Sequence, residues 1–176
     1  MPAPVAGALS VPRTPSLLRR LTSMLYEAFL LTAVEMLVTF VYLVGTRNQH
    51  SPVYDSAQHC LQFLVAAAYF IHAWTDSGHT LAMKTWRIRV VSPGHARVPP
   101  RVAAKRFLLA WGWFLPALAA CWLLDVNSWS GVAVALGTGI AAWAMTAFLD
   151  RDRQFLHDRL AGTRLIRLPS RPAKAA

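Results

Sequence analysis

Apolar residues in this sequence gather into four long blocks, separated by segments rich in arginine. Met24 to Val44 is a 21-residue run whose only charges are Glu27 and Glu35. Gln58 to Trp74 is apolar over most of its length and reaches adequate length if extended to Asp76. Phe107 to Leu124 and Ser130 to Leu149 carry no charge at all. A helix rising 1.5 Å per residue needs about 20 residues to cross about 30 Å of hydrocarbon. The pattern predicts four membrane-spanning helices, at about 24–44, 58–76, 107–124 and 130–149.

The segments between these blocks predict a smaller second layer. Trp86-Arg87-Ile88-Arg89-Val90 alternates apolar and basic, the period of a strand. Ser92-Pro93-Gly94 supplies a turn, and Ala96 to Val98 is expected to return as a short strand. Thr163 to Leu168 is another β-like stretch. These pieces are expected to meet as a β-hairpin or short-strand cap under the bundle. Thr14 is the expected cap of the first helix, with Pro15 in its first turn. Pro116 is expected to kink the third span, and Gly131, Ala135 and Gly139 to permit close helix approach in the fourth. The fold expected is an all-α transmembrane bundle with a small β cap, over residues 14–168. Residues 1–13 and 169–176 are expected to be disordered tails.

Charge sharpens the picture. The chain has 176 residues, is 55% hydrophobic and only 15% charged, and carries a formal net charge of +10. Such a balance excludes a disordered chain and leaves two classes, a nucleic-acid binder or a membrane protein with basic loops. With four spans, all but Arg47 of the 18 Lys+Arg residues fall on one side. Positive loops stay in the cytoplasm, so a multi-pass membrane protein with both termini cytoplasmic is expected; 15 of the 18 basic residues are Arg, which points to a GC-rich bacterial genome and hence to an inner membrane. The basic face then meets anionic lipid headgroups, and nucleic acid is not needed to explain the charge. The first span can serve as its own insertion signal. Two cysteines, Cys60 and Cys121, read as small buried apolar residues rather than as a disulfide scaffold.

The few acidic and imidazole groups carry the candidate chemistry. A carboxylate at mid-bilayer is costly, so Glu35 is expected to face inward and be neutralised or paired. Glu27 shares a helix face with Arg20, seven residues earlier. His72 and Asp76, spaced i, i+4, share a face of the second helix; they are either a proton relay with Glu27 or an interfacial pair. Asp150, Asp152, His157 and Asp158 cluster after the last span among arginines, which favours salt bridging over metal binding. No HExxH, GxSxG, Walker A, GxGxxG or CxxC motif is present, so no enzymatic activity, cofactor or metal is expected.

Three stretches resemble the RDD family of small bacterial membrane proteins. Arg19 to Glu27 is similar to its opening, where an arginine precedes the first helix and an acidic residue follows. Gly78-His79-Thr80-Leu81-Ala82-Met83-Lys84 resembles its loop motif, and His157-Asp158-Arg159-Leu160-Ala161-Gly162-Thr163 its closing motif. The family's arginine corresponds to Arg20 and its later aspartate to Asp158. Glu27 stands where the family usually has Asp, and Ala82 where it usually has Gly. The resemblance implies the architecture above and a suspected transport role. Two functions are therefore expected as alternatives. One is small-solute or cation/proton transport using Glu35, Glu27 and His72, which four helices can enclose only in a homo-oligomer. The other is an accessory or scaffold role, binding anionic lipid or another membrane protein.

Overall fold

The computed structural model describes residues 13–169 and is mostly helical. The two tail segments of the sequence reading therefore lie almost wholly outside the described residues. Helix α1 spans Leu17–Gly45 and α2 spans Pro52–Asp76. A short helix α3 (Leu81–Thr85) leads into strand β1 (Ile88–Val91). Helix α4 (Pro100–Ala110) passes through a 3-10 turn at Trp111–Trp113 into α5 (Leu115–Leu123). Helix α6 (Trp129–Met145) continues as a 3-10 turn at Thr146–Leu149, followed by α7 (Leu156–Ala161) and strand β2 (Arg164–Arg167).

Among the described residues, two helical segments are long and apolar enough to cross a membrane, Leu17–Gly45 and Trp129–Leu149. A third qualifies if α4 and α5 count as one broken span, bent by 42°. The break falls just ahead of Pro116. Inside a continuous helix the proline ring would collide with the carbonyl one turn back. Restarting the helix at Leu115 puts Pro116 in a first turn, where no N–H is required. Helix α2 begins six residues earlier than the apolar run, capped by the Ser51 hydroxyl, which accepts from Tyr54 N at 3.4 Å.

The first helix starts two residues later than expected. Ser16, not Thr14, is the cap, accepting from Arg19 N at 3.4 Å. Thr14 instead donates to the Asp152 carbonyl at 3.0 Å and accepts from Gln154 Nε2 at 3.2 Å, tying the start of the chain to the segment after α6.

The cap is a two-stranded antiparallel sheet, β1 against β2, with Val90 opposite Leu165. The expected hairpin does not form: Ala96 to Val98 is not a strand. Val98 is buried in the core, and the following Pro99-Pro100 offers no donors to a ladder and opens α4. Strand β1 begins only at Ile88 because Trp86 caps α3 and Arg87 takes a left-handed conformation at φ 54°. Gly78 closes α2 at φ 77°, and a Cβ there would lie 2.8 Å from the Val90 carbonyl, so this turn accepts only glycine. Of the small residues in α6, Gly139 provides the close approach, since its Cβ would lie 2.9 Å from that of Ala117 on α5. Gly131 faces Val126 and Ser128 of the preceding loop instead. Cys121 is buried, whereas Cys60 is exposed on α2.

Candidate functional site

Helix α1 is inside-out relative to a soluble helix. Its buried residues are all polar: Arg20, Ser23 and Glu27, at i, i+3 and i+7. Its exposed face carries Leu25, Phe29, Leu37, Phe40 and Val44. This is the arrangement expected where the surroundings are hydrocarbon and the polar groups must find partners within the protein. The same stripe continues through Leu31 to Glu35 and forms one wall of a cavity of about 640 Å³. The facing walls come from α2 (Phe63, Ala66, Phe70) and from α4 with its 3-10 turn (Phe107, Trp111, Trp113).

Glu27 is anchored by two hydroxyls. Tyr69 OH donates to Oε1 at 2.5 Å, and Thr80 Oγ1 donates to Oε2. Thr80 is also the cap of α3, accepting from Met83 N at 3.3 Å. The loop motif that begins at Gly78 thus delivers a hydroxyl to a carboxylate 53 residues earlier in the chain.

Below Glu27 lies a buried ionic cluster. Asp158, fully buried in α7, accepts from Arg106 Nε at 2.9 Å on Oδ1, and Arg106 Nη2 lies 2.7 Å from the same oxygen as an ion pair. The Arg106 guanidinium also lies 4.2 Å over the Trp74 ring. His157 Nε2 is 3.5 Å from the same Asp158 oxygen, and Trp143 Nε1 donates to His157 Nδ1 at 3.2 Å. The indole therefore fixes the imidazole proton on Nε2, facing the carboxylate. Burial pushes the His157 imidazole down to about 4 from its usual 6.5; the Asp158 charge opposes this, and Arg106 and Arg20 add to it. His157 is a neutral donor at pH 7.

Gly112 makes the Trp143 contact possible. A Cβ at Gly112 would collide with the Trp143 ring. Gly162 ends α7 at φ 72°, and the backbone then turns so that Thr163 N and Oγ1 both donate to the Asp158 carbonyl, at 2.9 and 3.2 Å. The closing motif thereby holds Asp158 at its backbone while Arg106 holds its side chain.

Arg20 occupies the polar end of the cavity. It is only 3% exposed, and its guanidinium lies 4.2 Å over the Phe155 ring. Trp113 packs edge-on against the same ring at 5.1 Å. Among the described residues, Arg20 Nε and Nη1 and Trp113 Nε1 have no hydrogen-bond partner.

The sequence candidates separate into two sets. Arg20, Glu27, Glu35 and His157 all line the cavity, and Asp158 sits beside it through His157 and Arg106. Both Glu35 oxygens are buried and lack a hydrogen-bond partner among the described residues. His72 and Asp76 are exposed and do not meet Glu27. The inward face of α2 is marked by Ala66, Phe70 and Trp74, and His72 lies about 200° around the helix from both Phe70 and Trp74. Asp76 is 3.9 Å from Arg97. Asp150 Oδ2 accepts from Gln154 N at 3.0 Å, and Asp152 pairs with Arg164 at 2.9 Å. The acidic cluster after the last span is thus dispersed into separate local contacts, and no group of three metal-ligating side chains occurs among the described residues. Tyr69, Thr80 and Arg106 were not singled out by the sequence reading. Arg106 carried a usable signal: it falls on the buried stripe of Ala103 and Phe107, where a charge requires a partner.

A family model described as the RDD family matches residues 14–162. No curated protein matches the chain. No solved structure matches it either.

Proposed function

This chain belongs to the RDD family, and on that premise we propose that it is a multi-pass membrane protein that moves a small solute or a cation in exchange for a proton. In this reading α1, α2, the bent α4–α5 pair and α6 are the four spans. Both termini and the β1–β2 cap lie on the cytoplasmic side of a bacterial inner membrane. The basic loops then face anionic headgroups.

The observation that carries the transport reading is Glu35. It lines the cavity with both oxygens free of hydrogen bonds among the described residues. A carboxylate placed in that way can take up and release a proton or cation as the cavity changes access. Glu27 supports it at the other end of the stripe. Its two hydroxyl partners hold it in position, so Glu27 sets the geometry while Glu35 exchanges its load. The alternative accessory role predicts a Glu35 sealed by another side chain. The cavity-lining placement favours transport over it. Binding and movement need no bond-making residue, so no enzymatic activity is assigned.

The test is flux across proteoliposomes containing the purified chain, under an imposed pH gradient. Glu35→Gln is expected to abolish proton-coupled flux while leaving insertion and folding intact. Undiminished flux in that variant rejects the assignment. Reporter fusions at the two ends check the topology: both ends are expected on the same, cytoplasmic face.

A further inference from the structure

The cavity has two chemically different ends, and the difference points to the kind of molecule it holds. Its volume, about 640 Å³, lies within the range of organic-ligand pockets. Its walls are almost wholly apolar. At one end the donors outnumber their acceptors. Arg106 is committed to Asp158, and Glu27 is turned toward Tyr69 and Thr80, about 10 Å along α1 from Arg20. Arg20 remains the cation without a hydrogen-bonded partner among the described residues, buried, with Nε and Nη1 unfilled. Trp113 Nε1, packed on the same Phe155 ring, is a second buried donor without an acceptor. Leaving a buried charge and a buried N–H unmatched is costly.

We propose that Arg20 and Trp113 receive the anionic head of a single-chain amphiphile, a phosphate monoester or carboxylate, whose alkyl tail lies along the apolar walls toward Glu35. A guanidinium fork suits an oxyanion geometrically, and the Phe155 ring beneath it holds the fork in place. The distance along α1 from Arg20 to Glu35 is 15 residues, about 22 Å, long enough for an extended chain. The proposal deepens the transport reading by naming a solute class, and it rests on that reading for its biological setting only. Binding is measured without flux, so the two can fail separately.

The experiment is a titration of the full chain, in nanodiscs of phosphatidylcholine, with dodecyl phosphate, dodecanol or inorganic phosphate, read by native mass spectrometry. Dodecyl phosphate is expected to bind at one site, at least roughly tenfold more tightly than either of the others, the range of a charge-assisted hydrogen bond. Arg20→Gln is expected to weaken it by roughly tenfold or more, and Arg20→Lys by less. Ala66→Phe fills the apolar part while leaving Arg20 untouched, and it too is expected to abolish binding. Equal binding of dodecanol, or of inorganic phosphate, overturns the proposal. So does unaltered binding in Ala66→Phe, or in a folded Arg20→Gln. Asp158 Oδ2, also buried without a hydrogen-bond partner among the described residues, would be Arg20's counter-charge in that last case.

Discussion

Arg106 and Asp158 stand 52 residues apart in the chain and meet at one carboxylate oxygen, through an Nε hydrogen bond at 2.9 Å and an Nη2 ion-pair contact at 2.7 Å, with the Arg106 side chain 7% exposed and the Asp158 side chain fully buried. The pair joins α4 to α7 and, through the Trp74 ring beneath the guanidinium, to α2. Removing one member leaves the other charged and unpaired in a dry environment, a loss of about 3–5 kcal/mol. Asp158→Asn and Arg106→Met are each expected to lower thermal stability strongly. The double variant Arg106→Met with Asp158→Asn should lose less than the two single losses added together. A double-mutant cycle on the purified protein measures the coupling, and additive losses would show that the pair contributes no such interaction.

His157 makes stability depend on pH. Its folded value of about 4 lies below the 6.5 of an unburied imidazole. Between those values the unfolded chain binds the proton and the folded chain does not. Stability from this group is therefore complete above about pH 6.5, declines as pH falls toward about 4, and changes no further below that. The unfolding equilibrium shifts by up to roughly tenfold per pH unit across the window. Melting temperatures of the wild type and His157→Asn, taken from pH 7 to pH 4, should diverge in slope, with the variant flatter. Parallel curves would place the titration elsewhere.

The legibility of these features in the sequence follows their physical range. The apolar run inside α1 was readable because hydrocarbon thickness dictates its length, and the polar stripe Arg20, Ser23, Glu27 follows from helix period alone. The break ahead of Pro116 was readable for the same local reason. Which strand pairs with β1 was not. Four residues carry no address, and Pro99-Pro100 diverts the chain before a hairpin can close, so β2 arrives from the far end of the sequence. The phase of α2 was equally hidden. His72 and Asp76 do share a face, but a helix apolar on most sides does not declare which face is inward; Phe70 and Trp74 do so only by packing. Arg106 stood visibly on a buried stripe, yet nothing local names Asp158 as its partner.

Gly112 is a packing requirement for the His157 geometry. Because any Cβ there meets the Trp143 ring, Gly112→Ala should displace the indole and lengthen its 3.2 Å bond to His157. Overpacking of this kind costs about 1–3 kcal/mol. Trp143→Leu introduced with Gly112→Ala should recover part of the loss, because the smaller side chain clears the site. Thermal unfolding of the two single variants and the double variant decides this, and no recovery in the double variant would mean that another contact sets the requirement.

Glu27 has the reach to serve two hydroxyls from different elements, Tyr69 on α2 and Thr80 at the start of α3. Shortening it by one methylene in Glu27→Asp leaves the carboxylate able to satisfy one hydroxyl, or both at poorer geometry. Each buried hydroxyl bond to a charged group is worth about 1.5–3 kcal/mol. The expected loss for Glu27→Asp is about 1 kcal/mol, and for Glu27→Ala several times that, since both hydroxyls then lose their acceptor. Tyr69→Phe and Thr80→Val separate the two contributions. If the bonds fix the stripe of α1 against the loop that begins at Gly78, Glu27→Ala should also increase hydrogen exchange across Gly78–Thr85, although it leaves the Thr80 cap on Met83 N in place, while Tyr69→Phe leaves that segment protected. Equal exchange in both variants would show that Glu27 steadies α1 against α2 only, and not the loop.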